Sequence, residues 1–159
     1  MKKKLFIFGG IIIVLFVALY FVTSYQNNQT VENVDNPYGT TDLEQGTIDQ
    51  LDDPNYDNQV LPDELSETMD NGEEVTVYFY SPDCSYCQQT TPYLAPLAED
   101  MDVDMKKFNL LEFGQEGMEY GIESTPTLVH YESGEEVARL VGQHPEEEYE
   151  SFFDQYVLN

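Results

Sequence analysis

Basic residues are scarce in this chain. It has 159 residues, with 6 Lys and Arg against 31 Asp and Glu. Three of the six are Lys2, Lys3 and Lys4, so beyond them 3 basic residues face 31 acidic ones, a formal charge of −28. Such a surface repels nucleic acid, whose binding requires Lys and Arg to neutralise phosphates. It also repels anionic lipid headgroups. The plain reading is a solvated face that keeps the chain soluble; a dedicated basic partner is the sharper one. Cysteine is equally sparse, with only Cys84 and Cys87. Two cysteines exclude a disulfide-stapled scaffold and a four-thiolate zinc site. The two histidines, His130 and His144, fall in an expected strand and an expected helix cap. They read as exposed or capping residues, and no metal site is expected. No acidic spacing resembles a calcium loop.

What is present begins with an apolar run. Residues 5–22 are almost wholly apolar, broken only by Gly9 and Gly10, and no acidic residue occurs before Glu32. About 18 apolar residues is the short end of a bilayer span. Residues 1–4 read as a basic cytoplasmic tail and residues 5–23 as a transmembrane signal-anchor, which places the rest outside. A cleaved signal peptide competes, but the apolar run is long and no Ala-x-Ala site follows it. No cysteine near its end could carry a lipid. Residues 24–60 are rich in Asn, Gln, Asp, Thr and Gly, a composition that buries too little surface to offset ordering entropy. They read as a mostly disordered acidic and polar tether with a random-coil reach of about 30–35 Å. The stretch 47–51 is a candidate for a first edge strand.

The texture changes at Leu61, where the folded domain, residues 61–159, is expected to begin. Pro62-Asp63-Glu64-Leu65 opens a short helix that Asn71-Gly72 ends. The unbroken β-branched and aromatic run 75–80 reads as a buried central strand. A helix follows over 85–100, with Pro92 and Pro96 inside it and a kink expected there. Residues 103–109 read as a strand and 115–120 as a short helix. Strands over 127–131 and 136–141 are joined by a Ser133-Gly134 turn. Pro145 is expected at the first position of the last helix. Tyr149, Phe152, Phe153, Tyr156 and Val157 form that helix's buried face.

Cys84-Ser85-Tyr86-Cys87 thus follows a buried strand and opens a helix. The first thiol sits where unpaired backbone N–H groups and the helix dipole favour a thiolate. The second lies one turn in, close enough to close a small Cys84–Cys87 disulfide. The thiolate is the attacking species, so Cys84 is read as nucleophile and Cys87 as the resolving thiol. A second element is Ser124-Thr125-Pro126-Thr127. Its proline directly precedes a strand and invites a cis peptide bond.

Taken together, Val77-Tyr78-Phe79-Tyr80-Ser81-Pro82-Asp83-Cys84-Ser85-Tyr86-Cys87, Tyr120-Gly121-Ile122 and Thr125-Pro126-Thr127-Leu128 resemble the thioredoxin superfamily, specifically its small membrane-anchored extracytoplasmic bacterial members. Pro92, Lys107-Phe108-Asn109 and Gly142 also fall where the family has equivalent residues. The resemblance covers residues 61–159. It implies an α/β thioredoxin-like fold, a central mixed β-sheet flanked by helices. It implies no cofactor beyond a redox-active disulfide. It implies that Pro126 is cis beside the disulfide, and that Thr125, Pro126, Ser85 and Tyr86 bind substrate, the backbone before the proline pairing with an extended chain. The departures concern tuning. Tyr78 stands where thioredoxins carry a buried Asp beneath the second cysteine, Tyr80 and Asp83 replace two Trp, and Ser85-Tyr86 replaces Gly-Pro. Asp83, with Glu123, puts carboxylate beside Cys84 and opposes the helix dipole. Lys107 is a candidate compensating charge, with a surface position as its plain reading.

The leading expectation is therefore an enzyme, a thiol–disulfide oxidoreductase acting on exported proteins or peptides. It would be a single-pass membrane protein, monomeric, with a membrane redox partner. Both directions of exchange fit, since an exterior location suits disulfide formation and tethered reductases share the fold. The alternative is a non-enzymatic extracellular binding or accessory module in which Cys84–Cys87 is a structural disulfide.

Overall fold

The computed structural model describes residues 2–33 and 36–158, with the backbone alone for residues 2–6, 28–30, 32 and 33. Two compact units divide the chain, Met1–Asp42 and Leu43–Asn159. The first holds α1 (Lys2–Asn33), a single 32-residue helix. Its segment Ile7–Asn27 is long and apolar enough to cross a membrane. Phe8, Ile13, Phe16 and Phe21 along it are all exposed, as a helix apolar on every side requires of a lipid-facing or secretory segment.

The second unit contains α2 (Gln45–Ile48), a 3₁₀ turn (Pro54–Tyr56), α3 (Pro62–Asp70), β1 (Val75–Tyr80), α4 (Ser85–Asp100), β2 (Met105–Asn109), α5 (Gly114–Glu119), β3 (Thr127–Glu132), β4 (Glu135–Val141) and α6 (Glu146–Tyr156). The four strands form one mixed sheet in the order β2-β1-β3-β4. β1 runs parallel to β2 and antiparallel to β3, and β3 runs antiparallel to β4. This is the thioredoxin-like α/β architecture that the sequence leads one to expect.

β1 organises the core because all six of its residues are buried. Successive side chains alternate between faces. Val75, Val77 and Phe79 join Leu65, Phe108, Val129 and Tyr131 on one side. Tyr78 and Tyr80 join Cys87, Leu94, Leu128, Tyr149, Phe152 and Phe153 on the other. A parallel pair needs a long crossover, and α4 supplies it between β1 and β2. α3 starts with Pro62 in its first turn beside Asp63 and Glu64, which suits both the missing N–H of proline and the helix dipole. The β3–β4 hairpin turns through Ser133 and Gly134, with φ of 53° and 77°, the pair of positive values that a tight two-residue hairpin demands. Gly134 also has no room for a Cβ, which would sit 2.7 Å from the Met69 carbonyl oxygen.

Several details differ from expectation. The folded unit starts at Leu43, not at Leu61, and residues 47–51 begin in the helical turn α2 instead of an edge strand. Val60 and Ile48 are buried. Asn109 donates to Thr47 Oγ1 at 2.9 Å, the Lys107 N–H to the Asn58 carbonyl at 3.0 Å and the Val60 N–H to the Lys107 carbonyl at 2.9 Å. Gln59 and Lys107 form an isolated parallel bridge. The polar residues that suggest a solvated tether are those that pair the open edge of β2, a task any exposed edge imposes. The last helix begins at Glu146, with Pro145 as its N-cap. His130 is not exposed: it is fully buried, its Nδ1 2.9 Å from Thr76 Oγ1. His144 is half-buried ahead of α6, with Nδ1 2.6 Å from Glu148 Oε2.

If residues 43–60 are part of the folded unit, their apolar anchors carry stability. Ile48→Ala should lower the unfolding free energy by about 2–4 kcal/mol, and Val60→Ala by about 1–3 kcal/mol, in urea titrations of the chain. Unchanged midpoints for both would return this stretch to the status of a tether.

Candidate functional site

The site forms where the chain leaves the buried end of β1. Ser81-Pro82-Asp83 turns the backbone, and the Cys84 N–H donates to the Ser81 carbonyl at 3.0 Å. Cys84 is the N-cap of α4, with extended φ and ψ of −82° and 115°. An N-cap side chain faces the unpaired N–H groups of the first turn. Here the cap is a sulfur, and Cys84 Sγ accepts from the Cys87 N–H at 3.3 Å. The same thiol donates to the Thr125 carbonyl at 3.4 Å. The Thr125–Pro126 peptide bond is cis. Pro126 is buried and its carbonyl accepts from the Gly142 N–H at 2.7 Å, which ties β3 to the loop after β4.

The two thiols differ in surroundings. Cys84 is half-buried, whereas Cys87 is 1% exposed. Burial raises the Cys84 pKa, but hydrogen bonds with the Cys87 and Thr125 side chains and from the Cys87 and Tyr86 backbone outweigh it, and the net shift is downward. Burial, reinforced by the hydrogen bond with Cys84, pushes Cys87 up to about 12. A single negative charge on the pair therefore resides on Cys84, and the proton on Cys87.

Beneath Cys87 lies Tyr78, fully buried, its hydroxyl 3.2 Å from Thr91 Oγ1, which donates to the Cys87 carbonyl at 2.8 Å. Burial, then the nearby Cys87 charge, holds the Tyr78 phenol far above its ordinary pKa. It is a neutral hydroxyl in place of an ionisable carboxyl. Tyr78 stacks on Tyr80 with ring centroids 5.9 Å apart, and Tyr80 accepts from Gln59 at 2.7 Å. Lys107 is buried, not on the surface; it is the register partner of Tyr78, and its ammonium donates to the Asp57 carbonyl at 2.8 Å. Burial lowers its pKa. Asp83 is exposed and lies against Gly46, where a Cβ would sit 2.8 Å from Asp83 Oδ1. Ser85 and Tyr86 are exposed on the first turn of α4.

Cys84, Cys87, Thr125 and Pro126 are thus brought together, with Ser85, Tyr86 and Asp83 on the rim, Tyr78 below, and Lys107 across the β1–β2 pair from Tyr78 with its ammonium on the Asp57 carbonyl. Two positioning residues escape a sequence reading. Tyr93 on α4 donates to the His144 carbonyl at 2.6 Å, and Tyr149 on α6 to the Gly142 carbonyl at 3.1 Å. They pin the loop that holds Pro126. Helical periodicity marks Tyr149 as core, but nothing in it marks a hydroxyl aimed at a distant loop. Among the described residues no group of three His, Cys, Asp or Glu is arranged to hold a metal ion.

The asymmetry of the thiols has a direct readout. On the reduced chain, iodoacetamide at about pH 7.5 should label Cys84 faster than Cys87 by a factor on the order of a hundred or more. The Cys84 rate should rise with pH and level off at a midpoint below the value of about 8.5 for a free cysteine. Equal labelling of both thiols would contradict this geometry.

Comparison with known proteins agrees with the architecture. The Thioredoxin family profile matches residues 50–155. Thioredoxin of Porphyra purpurea is 33% identical over 93 residues, covering 57% of this chain and 87% of that protein. Protein disulfide isomerase-like 1-4 of Arabidopsis thaliana is 26% identical over 113 residues, which cover 62% of this chain but 19% of that protein. Among solved structures, a mutant thioredoxin of Halobacterium salinarum NRC-1 superposes with a TM-score of 0.52 at 30% identity, over 62% of this chain and 86% of that one. With the match running through β1, the Cys84–Cys87 turn, the Pro126 loop and α6, the chain belongs to the thioredoxin family, and thiol–disulfide exchange is the redox chemistry that membership carries.

Proposed function

We propose that this chain is a membrane-anchored thiol–disulfide oxidoreductase that acts on exported polypeptides. The observation that carries the reading is the half-exposed Cys84 sulfur held between the Cys87 N–H and the Thr125 carbonyl, above a buried Cys87. In the reducing direction, the Cys84 thiolate attacks one sulfur of a substrate disulfide. The Cys84–substrate bond forms, the substrate S–S bond breaks, and the leaving sulfur departs as thiolate and takes up a proton. Cys87 then loses its proton and attacks Cys84 Sγ, closing the protein disulfide and releasing the second substrate thiol. Two electrons pass from protein to substrate, and each step runs backward in the oxidising direction. Because Tyr78 is a hydroxyl, it offers no carboxylate beneath Cys87 to take its proton, so resolution is the slower half of the cycle.

Substrate would lie across Tyr86 and Ser85 and along Thr125 and Pro126, an extended segment adding beside the backbone that precedes the proline. The helix α1, with Lys2–Lys4 on the cytoplasmic side, would anchor the chain and leave the redox unit outside. A membrane protein would then exchange electrons with the pair.

Trapping tests the mechanism and the topology together. In cells producing the full chain, Cys87→Ala should accumulate mixed disulfides through Cys84, with exported proteins as partners and the adducts in the membrane fraction. Cys84→Ala should lower exchange to the uncatalysed rate. Full turnover in Cys84→Ala would sink the mechanism, and adducts confined to soluble cytoplasmic proteins would sink the topology.

A further inference from the structure

The loop after β4 carries an imidazole ring held on both sides. His144 Nε2 lies 3.0 Å from the Val141 carbonyl oxygen, and Nδ1 lies 2.6 Å from Glu148 Oε2. A backbone carbonyl only accepts, so Nε2 carries a hydrogen. An ionised carboxylate also only accepts, so Nδ1 carries one too. Both nitrogens donate only in the imidazolium form. Without that second proton, a nitrogen lone pair would face the carboxylate. The ring is 26% exposed, so water reaches it and the proton exchanges. From α6, Glu148 and Tyr149 face it, Tyr149 edge-on with ring centroids 6.0 Å apart. Glu146 and Tyr93 of α4 line one cleft with it, and Glu147 shares the first turn of α6.

This ring sits on the loop that sets the exchange site. Pro145, the N-cap of α6, has no side-chain hydrogen bond with which to fasten the first turn. The His144 ring supplies the fastening, joining Val141 at the end of β4 to Glu148 on α6. Within that span the Gly142 N–H donates to the Pro126 carbonyl at 2.7 Å. The Gly142 and His144 carbonyls accept from Tyr149 and Tyr93. The carbonyl one residue before Pro126, that of Thr125, holds Cys84 Sγ at 3.4 Å. A continuous run of hydrogen bonds and peptide bonds thus leads from the imidazolium to the reactive sulfur.

Building on the exchange reading above, we propose that His144 is a positioning residue for that reaction, and that the proton it shares with Glu148 keeps the Pro126 loop in the conformation that receives substrate. Histidine ordinarily changes charge between about pH 5 and 8. At the acidic end of that interval both ring nitrogens donate and the clasp is closed. As pH rises through it, the contact with Glu148 turns from a charge-assisted hydrogen bond into a meeting of two lone pairs. The turn from Val141 to Glu148 then loosens, and with it the backbone before Pro126 on which an extended substrate docks. The thiol runs the other way, because more Cys84 is thiolate at higher pH. Exchange with a peptide is therefore held between two opposed titrations. A small disulfide that does not use the loop follows Cys84 alone.

The test uses the full chain, reduced, in a neutral detergent, from about pH 5.5 to about pH 8. Two probes are compared: an end-capped, extended cystine peptide with no titratable side chain, and the small neutral bis(2-hydroxyethyl) disulfide. Dividing kcat/KM for the peptide by the rate constant for the small disulfide removes the ionisation of Cys84. A charge-assisted hydrogen bond is worth about tenfold or more, and the ratio should fall by at least about threefold across the range, through KM and not kcat. Glu148→Gln keeps the clasp without the extra proton, because its amide N–H donates to the neutral ring. Its ratio should stay high and flat. His144→Ala removes the clasp, and its ratio should be low and flat. A wild-type ratio that pH does not change would overturn the proposal, and so would a Glu148→Gln profile that falls as the wild type does. Neither result depends on His144→Ala folding. Absence of exchange with the small disulfide at every pH is a different failure, because it would remove the exchange reading itself.

Discussion

The meeting of two backbone groups at one sulfur is the constraint on which the rest of the structure depends. Cys84 Sγ touches the Cys87 N–H at the start of α4 and the Thr125 carbonyl just before β3. Thr125 is 41 residues from Cys84 in sequence, and neither backbone group can be exchanged by a side-chain substitution. They converge because β1 lies between β2 and β3 in one sheet, so the exit of β1 and the entry of β3 are at the same end. The pairing of Phe79 with Thr127 sets the register of that end. A shift of one residue would invert every side chain of β1 between the two halves of the core. Tyr93 and Tyr149 then fix the loop behind Pro126 through their hydroxyls.

The chemistry follows from a difference of depth between two thiols one helical turn apart. The helix start holds the Cys84 sulfur among donors, while the packing of α4 on β1 and α6 withdraws Cys87 from water. Position on the helix does most of this; no cation is needed near the pair, and Lys107 stays with the Asp57 carbonyl. Tyr78 completes the arrangement as a packed, hydrogen-bonded hydroxyl that keeps the floor of the site neutral.

Much of this was legible in the sequence where a strong local pattern and the fold agreed. The β-branched and aromatic run of β1, the cysteine turn, α4 from Ser85 to Asp100 and the Ser133-Gly134 hairpin all lie where the residues imply. What escaped detection depends on partners far away in sequence. Residues 43–60 look like solvent-loving tether, yet Thr47, Asn58 and Gln59 satisfy groups on β2 and its surroundings. Lys107 and His130 read as surface residues because burial of a polar side chain requires a specific partner; the Asp57 carbonyl and Thr76 hydroxyl provide them. Thr91, between Tyr78 and the Cys87 carbonyl, carries no sequence signal at all, since a threonine within a helix ordinarily bonds back to its own preceding turn.

Cys84 and Cys87 are read as a reversible redox couple, which the equilibrium reduction potential of the pair in glutathione buffers tests. Such a couple opens and closes in a reversible two-electron transition at a potential above about −300 mV; a value near about −120 mV would mark an oxidant of thiols and one near about −270 mV a reductant of disulfides. A bond that stays closed throughout the glutathione range, with a potential below about −300 mV, would mark a structural disulfide and contradict a redox role for the pair.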